Sequence, residues 1–284
     1  MKKRIILIVV ALFVGLQSFG QAKYVFYFIG DGMGVNQVNA TELYLGAMQD
    51  KVGVTPLCFT QFPYGGCVKT YSKSGNVTDS AAGGTALATG SKTNNGYIGV
   101  DNNDQTLSNL AELAVSRGKK VAIMSTVGAN NATPAAFFGH QHSRNMYDEL
   151  LGDMIKNGFD FYAGSELQRG KTKLYDNPLK SFEEAGYTVV GSTQEFAQKS
   201  ASAGKILMVP GEGSRIDYRN NAEYYAKQSN YIKLKDLVEC GISFLTKDRN
   251  NKGFFLMAEG GRIDGACHGN DGATALVEII DFDE

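Results

Sequence analysis

Residues 24–34 read YVFYFIGDGMG, and this stretch combines the two features that decide the fold. Residues 24–30 form a continuous apolar run of strand length, and Asp31 follows directly among glycines. A strand that is apolar on both faces is typical of a parallel sheet covered by helices on both sides. Residues 120–127 (KVAIMSTV) and 253–258 (GFFLMA) are apolar runs of the same kind. The sequence therefore predicts an α/β fold with a mainly parallel central sheet.

Helical patterns alternate with these strands, and ligands of such sheets bind outside the carboxyl ends of the strands. Polar motifs that follow the strands are therefore expected to share one site. A more polar and less periodic stretch at about residues 165–231 is interpreted as an insertion over the entrance of that site. The other predicted elements are helices at residues 35–48, 106–118, 146–158, 234–247 and 274–280, and short strands at 187–191 and 206–209.

The first 20 residues have the pattern of a secretory signal peptide. Basic residues at positions 2–4 precede an apolar run at 5–16, and Ser18 and Gly20 place small residues where a signal peptidase reads. A membrane anchor is the alternative, but the run is about 12 residues and a spanning helix needs about 20. We therefore expect cleavage after Gly20 and a soluble, exported protein with no stable membrane anchor.

The net charge of −1 gives no electrostatic reason to expect nucleic acid or anionic lipid as a partner. Export permits disulfides, but four cysteines at this spacing do not form a dense framework. Small buried thiols are therefore favoured over any one disulfide, and Cys58 with Cys67 is the best candidate pair. Cys67 lies in a strand-like run and Cys240 in a predicted helix, and the fourth cysteine is Cys267.

Two motifs lie in the first third of the chain. An acid at the end of a buried strand is costly unless it is paired or binds a metal ion, so Asp31 is a candidate ligand, with a helix-capping turn as the alternative. Residues 77–86 (VTDSAAGGTA) place Ser80 at the start of a predicted helix. Oriented N–H groups and the positive end of the helix dipole favour an anion such as a phosphoryl group there. The alternative is that Asp79 or Ser80 only caps the helix.

Two further motifs follow later strands. Residues 131–136 (NATPAA) offer the Thr133 hydroxyl to a hard cation, and Arg144 downstream carries a fork of donors suited to phosphate. A surface ion pair is the alternative for Arg144, and ordinary loop residues are the alternative for His140 and His142. Residues 259–268 (EGGRIDGACH) bring two acids and an imidazole after a buried strand, a set that suits Zn²⁺ or Mg²⁺. The alternative for this motif is a helix cap and a solvated turn.

These four motifs, in this order, resemble the alkaline phosphatase family, and the resemblance spans residues 23–284. It implies a three-layer α/β sandwich for a domain at residues 21–284, incomplete at its C-terminus, in a periplasmic or secreted enzyme that can form a homodimer. It also implies hydrolysis of small phosphate monoesters through a phosphoserine, with two Zn²⁺ and one Mg²⁺. The implied roles are Ser80 as nucleophile, Arg144 as phosphate clamp, Asp31 as the carboxylate between the second zinc and magnesium, Thr133 and Glu259 as magnesium ligands, and Asp264 and His268 as ligands of the first zinc.

The chain departs from the family pattern in two respects. Asn131 stands where one branch has an aspartate, and Gly265 stands where other branches have a larger side chain, so the third metal is left open. Three further zinc ligands come from later sequence in the family, and catalytic zinc usually has three protein ligands. We therefore expect a C-terminally truncated chain with little activity. A short member completed by a partner is the alternative.

The same residues bear on three competing functions. Ser80 is followed by Ala-Ala-Gly, which lacks the context that sulfatases need for formylglycine. Phosphodiesterases of the same superfamily often use threonine as the nucleophile and lack the arginine clamp, so Ser80 with Arg144 favours monoesters. An inactive remnant that binds phosphate or metal is the non-enzyme alternative.

Overall fold

The central sheet has six strands, and every pair of neighbours in it is parallel. This computed structural model confirms the predicted α/β fold with a mainly parallel sheet. The strands are β1 (Tyr24–Gly30), β2 (Lys120–Ser125), β3 (Phe161–Ala163), β4 (Tyr187–Val190), β5 (Lys205–Met208) and β6 (Phe254–Gly260), and their order in the sheet is β1-β6-β2-β3-β5-β4.

The structure describes most of the chain. The predicted signal peptide at 1–20 and part of the 165–231 stretch lie outside the described residues. Among the described residues, no helix is both long enough and apolar enough to cross a membrane. The described residues are 22–172, 175–211, 214–218, 231–248 and 252–284.

Strand β6 lies between β1 and β2, and all seven of its residues are buried. Its register aligns Glu259 with Ile29 of β1 and with Ser125 of β2. Because the strands are parallel, their carboxyl ends lie at one edge of the sheet. The polar residues that end or follow β1, β2 and β6 are therefore brought together, as the sequence predicted.

Helices lie on both faces of the sheet, which gives the predicted three layers. The exception is the edge strand β1, which was expected to be buried on both faces, because Tyr24, Phe26 and Phe28 on one of its faces stay exposed. On one face, Ile123 and Met257 pack in a core with Phe137 and Leu150. On the other face, Leu256 packs in a second core with residues of α8. The ten described helices are α1 (Val35–Ala47), α2 (Ser80–Thr89), α3 (Leu110–Ser116), α4 (Ala132–Ala135), α5 (Tyr147–Asn157), α6 (Pro178–Glu184), α7 (Thr193–Lys199), α8 (Leu234–Thr246), α9 (Arg262–His268) and α10 (Gly272–Asp283).

The helix predicted at residues 106–118 is shorter than expected because it has a strong start signal inside the predicted range. Asn109 accepts a hydrogen bond from the Glu112 backbone, and the Glu112 side chain accepts one from the Asn109 backbone. This capping box fixes the first turn of α3 at Leu110. Thr106 instead forms an isolated antiparallel bridge with Val100, and residues 107–109 have no regular structure.

The 165–231 stretch contributes to the sheet. Strands β5 and β4, with α6 and α7, lie inside it, and β5 pairs with β3. Its described part therefore extends one edge of the sheet, and the interpretation of the stretch as an insertion stays a prediction.

All four cysteines are free thiols, so the candidate Cys58–Cys67 disulfide is not formed. The strand-like interpretation of Cys67 is wrong, because its extended segment pairs with no strand. Cys58 precedes a single 3₁₀ turn, and its backbone N–H donates to Asp283 of α10 at 2.8 Å. Cys240 is buried on α8, as predicted, but Cys58 and Cys67 are exposed, so the expectation of buried thiols is wrong for these two.

Leu256 tests the packing of β6 against α8. It is fully buried, and Leu256→Ala should lower the free energy of unfolding by about 2–5 kcal/mol, because the lost side chain leaves a cavity. Urea denaturation followed by circular dichroism measures the change. Leu113→Ala on the exposed side of α3 is the control and should shift stability by about 0.5 kcal/mol or less. Equal effects of the two variants would contradict this packing.

Candidate functional site

A cleft of about 680 Å³ opens at the carboxyl edge of the sheet, beside the ends of β1 and β6. Six of the seven predicted site residues line it, and the seventh, Glu259, lies buried beneath it. A smaller apolar cavity of about 330 Å³, beside α8 and α10, contains none of them. The residues lining the cleft are Ile29, Gly30, Asp31, Gly32, Met33, Gly34, Thr70, Thr78, Asp79, Ser80, Gly83, Gly84, Leu87, Thr133, Arg144, Asp264 and His268.

Ser80 is the first residue of α2, and its hydroxyl donates to Asp31 Oδ2 at 2.9 Å. Asp79 caps the helix by accepting from the Ala82 N–H at 2.9 Å. The capping alternative therefore holds for Asp79 and leaves the Ser80 hydroxyl free to face the cleft. A nucleophile at this position lies at the positive end of the helix.

The loop after β1 is held against α9 at Gly32. Gly32 has a positive φ of 67°, and a Cβ there would lie 2.7 Å from Asp264 Oδ1. Only glycine adopts this conformation freely and leaves room for the Asp264 carboxylate. The first and last motifs of the chain therefore meet in direct contact.

Arg144 is oriented by two side chains from different elements. Its Nη1 lies 3.3 Å from Asp79 Oδ2, and its Nη2 donates to Asn131 Oδ1 at 3.4 Å. Asn131 also caps α4, because the same oxygen accepts from the Ala132 N–H at 2.6 Å. The guanidinium is thereby tied to the start of α2, next to Ser80, and stays about 30% exposed for a ligand.

A short antiparallel ribbon supports the loop that carries Arg144. Ile98 and Gln141 exchange backbone hydrogen bonds at 2.8 and 2.9 Å, and the Arg144 N–H donates to the Gly96 carbonyl at 2.6 Å. The Gly96 N–H in turn donates to Asp79 Oδ2 at 3.0 Å. One carboxylate oxygen therefore holds both the ribbon and the guanidinium.

Glu259 is the most deeply buried acid of the site, with 1% of its surface exposed. Burial, followed by repulsion from Asp31, raises the pKa of Glu259 to about 8, although hydrogen bonds from Ser125 and Thr133 oppose the shift. A carboxylate in this position needs a compensating positive charge to remain ionised at neutral pH.

The same crowding extends to the other carboxylates. Burial, followed by repulsion from Asp264, raises the pKa of Asp31, against the hydrogen bond from Ser80 and the charge of Arg144. Asp264 also raises the pKa of Glu259. Three mutually repelling carboxylates with nearby hydroxyls are a donor set that fits divalent cations.

The predicted ligands meet as pairs. Asp264 and His268 lie four residues apart on α9, with Oδ2 and Nε2 separated by 3.3 Å, and the His268 side chain is 81% exposed. Thr133 is hydrogen-bonded to Glu259, as Ser80 is to Asp31. In the part of the chain that the structure describes, no three His, Cys, Asp or Glu side chains form a cluster that could hold one ion.

Sequence reasoning missed three contributions to this site. Ser125 ends β2 and donates to Glu259, Asp79 binds Arg144, and Thr70 lines the cleft from an irregular segment. A signal existed for Ser125, because it is a polar residue at the carboxyl end of an apolar strand, like Asp31. No local pattern marks Thr70.

His140 is a structural residue of the Arg144 loop. Its Nδ1 lies 2.8 Å from the Gly99 carbonyl and its Nε2 lies 2.7 Å from Glu112 Oε1, so both nitrogens donate only in the imidazolium form. Burial opposes the charge, but these two hydrogen bonds outweigh it and raise the pKa of His140. Burial likewise opposes ionisation of Glu112, yet the bonds from His140 and the Asn109 backbone hold its pKa below its usual value.

Comparison with known proteins agrees with this geometry. The alkaline phosphatase family model matches residues 22–220 and 163–284. Alkaline phosphatase 4 of Bacillus subtilis is 34% identical over 279 residues, which cover 94% of this chain and 57% of the relative. The solved cold-active alkaline phosphatase of Shewanella sp. is 31% identical, with a TM-score of 0.77 over 92% of this chain and 62% of its own.

A variant of the TAB5 alkaline phosphatase, solved with Mg bound in its M3 site, is 28% identical, with a TM-score of 0.73 over 92% of this chain and 70% of its own. The chain belongs to the alkaline phosphatase family. It spans just over half the length of the Bacillus relative.

The His140–Glu112 pair predicts a pH-dependent stability. The raised pKa of His140 gives a contribution that is complete below about pH 6.5 and is lost as pH rises through that pKa. The lowered pKa of Glu112 gives one that is present above about pH 4.5 and is lost as pH falls. Glu112→Gln should therefore lower the free energy of unfolding by about 1.5–3 kcal/mol between about pH 4.5 and about pH 6.5. The loss should be smaller at about pH 9.

Urea denaturation at a series of pH values measures this gap between wild type and variant. Glu184→Gln, which removes one partner of the exposed Lys180–Glu184 pair, is the control and should change stability by less than about 0.5 kcal/mol at every pH. A gap for Glu112→Gln that does not vary with pH would contradict the charged state of His140.

Proposed function

We propose that this protein hydrolyses phosphate monoesters in the cleft, with Ser80 as the nucleophile that becomes phosphorylated. The observation that carries the proposal is the arrangement of Ser80 and Arg144 around one cleft, joined through Asp79. A phosphoryl group at the start of α2 would meet the Ser80 hydroxyl, the helix N-terminus and the guanidinium together. Family membership supports the same reaction class.

Each of these residues has a distinct task. The hydrogen bond from Ser80 to Asp31 directs the hydroxyl proton at a carboxylate and leaves the oxygen facing the cleft. The Ser80 hydroxyl gives its proton to Asp31 and its oxygen forms a bond to phosphorus, while the bond to the ester oxygen breaks and the leaving group takes up a proton as the alcohol. Water later cleaves the Ser80–phosphorus bond, which releases phosphate and restores the hydroxyl. Arg144 binds non-bridging oxygens of the phosphoryl group and neutralises their charge. Asn131 and Asp79 fix the direction of its guanidinium.

Metal ions fit the same residues. Asp31 and Ser80 would hold one zinc ion, and Asp264 and His268 would hold another. Thr133 and Glu259, together with Asp31, would hold magnesium. When bound, such cations activate the nucleophile and a water and stabilise charge on the leaving oxygen. Magnesium is supported by the oxygen donors of its set and by the TAB5 relative solved with Mg in its M3 site. The relief of carboxylate repulsion supports cations in general.

Hydrolysis of phosphate diesters, by a phosphodiesterase of the same superfamily, is the alternative reaction. The Arg144 guanidinium favours a monoester, because a terminal phosphoryl group offers it non-bridging oxygens with more negative charge than a diester does. The two reactions are separated by comparing 4-nitrophenyl phosphate with bis(4-nitrophenyl) phosphate as substrates. Faster cleavage of the diester would overturn the proposal.

We also propose export to the periplasm or the medium, which rests on the basic, apolar and small-residue pattern at residues 1–20. A homodimer belongs to the same proposal and rests on the family alone. N-terminal sequencing of the exported protein tests the first point, since a mature chain should begin at Gln21. Light scattering of the purified chain tests the second.

The role of Ser80 predicts the effect of its removal. Ser80→Ala should lower turnover of 4-nitrophenyl phosphate by about 10³-fold or more, because Ser80 is the cleft hydroxyl that lies at the start of α2 and donates to Asp31. Metal content, measured by mass spectrometry, should largely be retained. Ser116→Ala on α3 is the control and should leave turnover unchanged. Labelled phosphate trapped at acid pH on a residue other than Ser80 would show that the nucleophile is misassigned.

The role of Arg144 predicts weaker binding of inorganic phosphate. Arg144→Ala should weaken the free energy of phosphate binding by about 2–5 kcal/mol, because the phosphate then loses its charged partner and Asp79 loses its ion pair. Arg144→Lys should recover only part of this, since an ammonium cannot bind in the fork geometry. Calorimetric titration with phosphate measures the affinity directly. If Arg144→Ala binds phosphate as wild type does, Arg144 has only a surface role.

A further inference from the structure

Ser125 occupies a position that the proposed mechanism does not use. It is the last residue of β2, it is fully buried, and its register partner in β6 is Glu259. Its Oγ donates to Glu259 Oε2 and accepts from the Val127 N–H at 3.0 Å. Two fixed partners therefore set both the position and the direction of this hydroxyl.

The direction matters because a serine hydroxyl has a single proton. The Val127 N–H donates into the Ser125 oxygen, so the Ser125 proton has to point at the carboxylate of Glu259. The bond occupies part of the acceptor capacity of Oε2 and fixes the rotation of the carboxylate. Gly261 also packs against this carboxylate, since a Cβ at Gly261 would lie 3.2 Å from the Glu259 carboxyl carbon.

We propose that Ser125 is a positioning residue for Glu259, which sets the part of the carboxylate that is offered to a magnesium ion. The inference deepens the proposed function and rests on it only in taking Glu259 as a ligand of that ion. Groups that orient a metal-binding side chain commonly control metal affinity about 10- to 100-fold. Ser125 belongs to this class because its bond to Glu259 is buried and cannot be replaced by bulk water.

The test compares three variants of the purified, metal-stripped chain by calorimetric titration with Mg²⁺. Ser125→Ala should raise the Mg²⁺ dissociation constant about 10- to 100-fold. Ser125→Thr keeps the hydroxyl and should stay within about threefold of wild type. Thr93→Val is the matched control, since Thr93 is fully buried and its Oγ1 has no hydrogen-bond partner among the described residues. It should bind Mg²⁺ as wild type does.

Thermal unfolding with and without Mg²⁺ separates positioning from a purely structural role. A bound ion raises the midpoint according to its affinity, so the Mg²⁺-induced rise should shrink in Ser125→Ala and persist in Ser125→Thr. If Ser125→Ala does not fold, Ser125→Cys replaces it, because a thiol of similar size is a weak donor.

Three outcomes overturn the inference. Unchanged Mg²⁺ affinity in Ser125→Ala would show that Ser125 does not position Glu259, and it would leave the proposed function intact. A lower midpoint with an unchanged Mg²⁺-induced rise reduces Ser125 to a structural residue. A wild-type chain that binds no Mg²⁺ overturns the metal assignment of the proposed function and the inference with it.

Discussion

The structure depends on one electrostatic constraint, the crowding of Asp31, Glu259 and Asp264 at the carboxyl edge of the sheet. Burial and mutual repulsion raise the pKa of the first two, and buried carboxylates that repel one another are stable only if positive charge or hydrogen-bond donors compensate them. The arrangement of the surrounding elements follows from this. Ser80, Ser125 and Thr133 each direct a hydroxyl at one of these carboxylates.

Positive charge at the cleft comes from Arg144, which is held by a chain of contacts that begins at α2. Asp79 caps the helix with one oxygen and uses the other for the Gly96 N–H and the guanidinium. The same residue therefore fixes the start of α2 beside Ser80 and the direction of the Arg144 guanidinium. His140 strengthens this arrangement from the far side by joining the loop to α3 through Glu112.

Much of the fold could be predicted from the sequence, because β1, β2 and β6 are continuous apolar runs with few competing interpretations. The motifs around Asp31 and Glu259 could be placed for the same reason, since a polar residue that ends such a run must reach the edge of the sheet. What could not be predicted were pairings between residues distant in sequence. Ser125 with Glu259 and His140 with Glu112 depend on strand order and loop packing. The strand predicted around Cys67 was wrong because a strand-like run of residues alone does not supply a neighbouring strand to pair with.

The strand order also has a consequence for biosynthesis. Strand β1 is made first, but its neighbour in the sheet is β6, and β2 lies beyond β6. Until β6 leaves the ribosome, the aromatic residues of β1 have no sheet to join, and Asp31 has neither Glu259 nor Asp264 beside it. Such a large sequence separation between partners slows folding. The edge that carries the candidate site is therefore assembled late, and β1 stays exposed to aggregation until then.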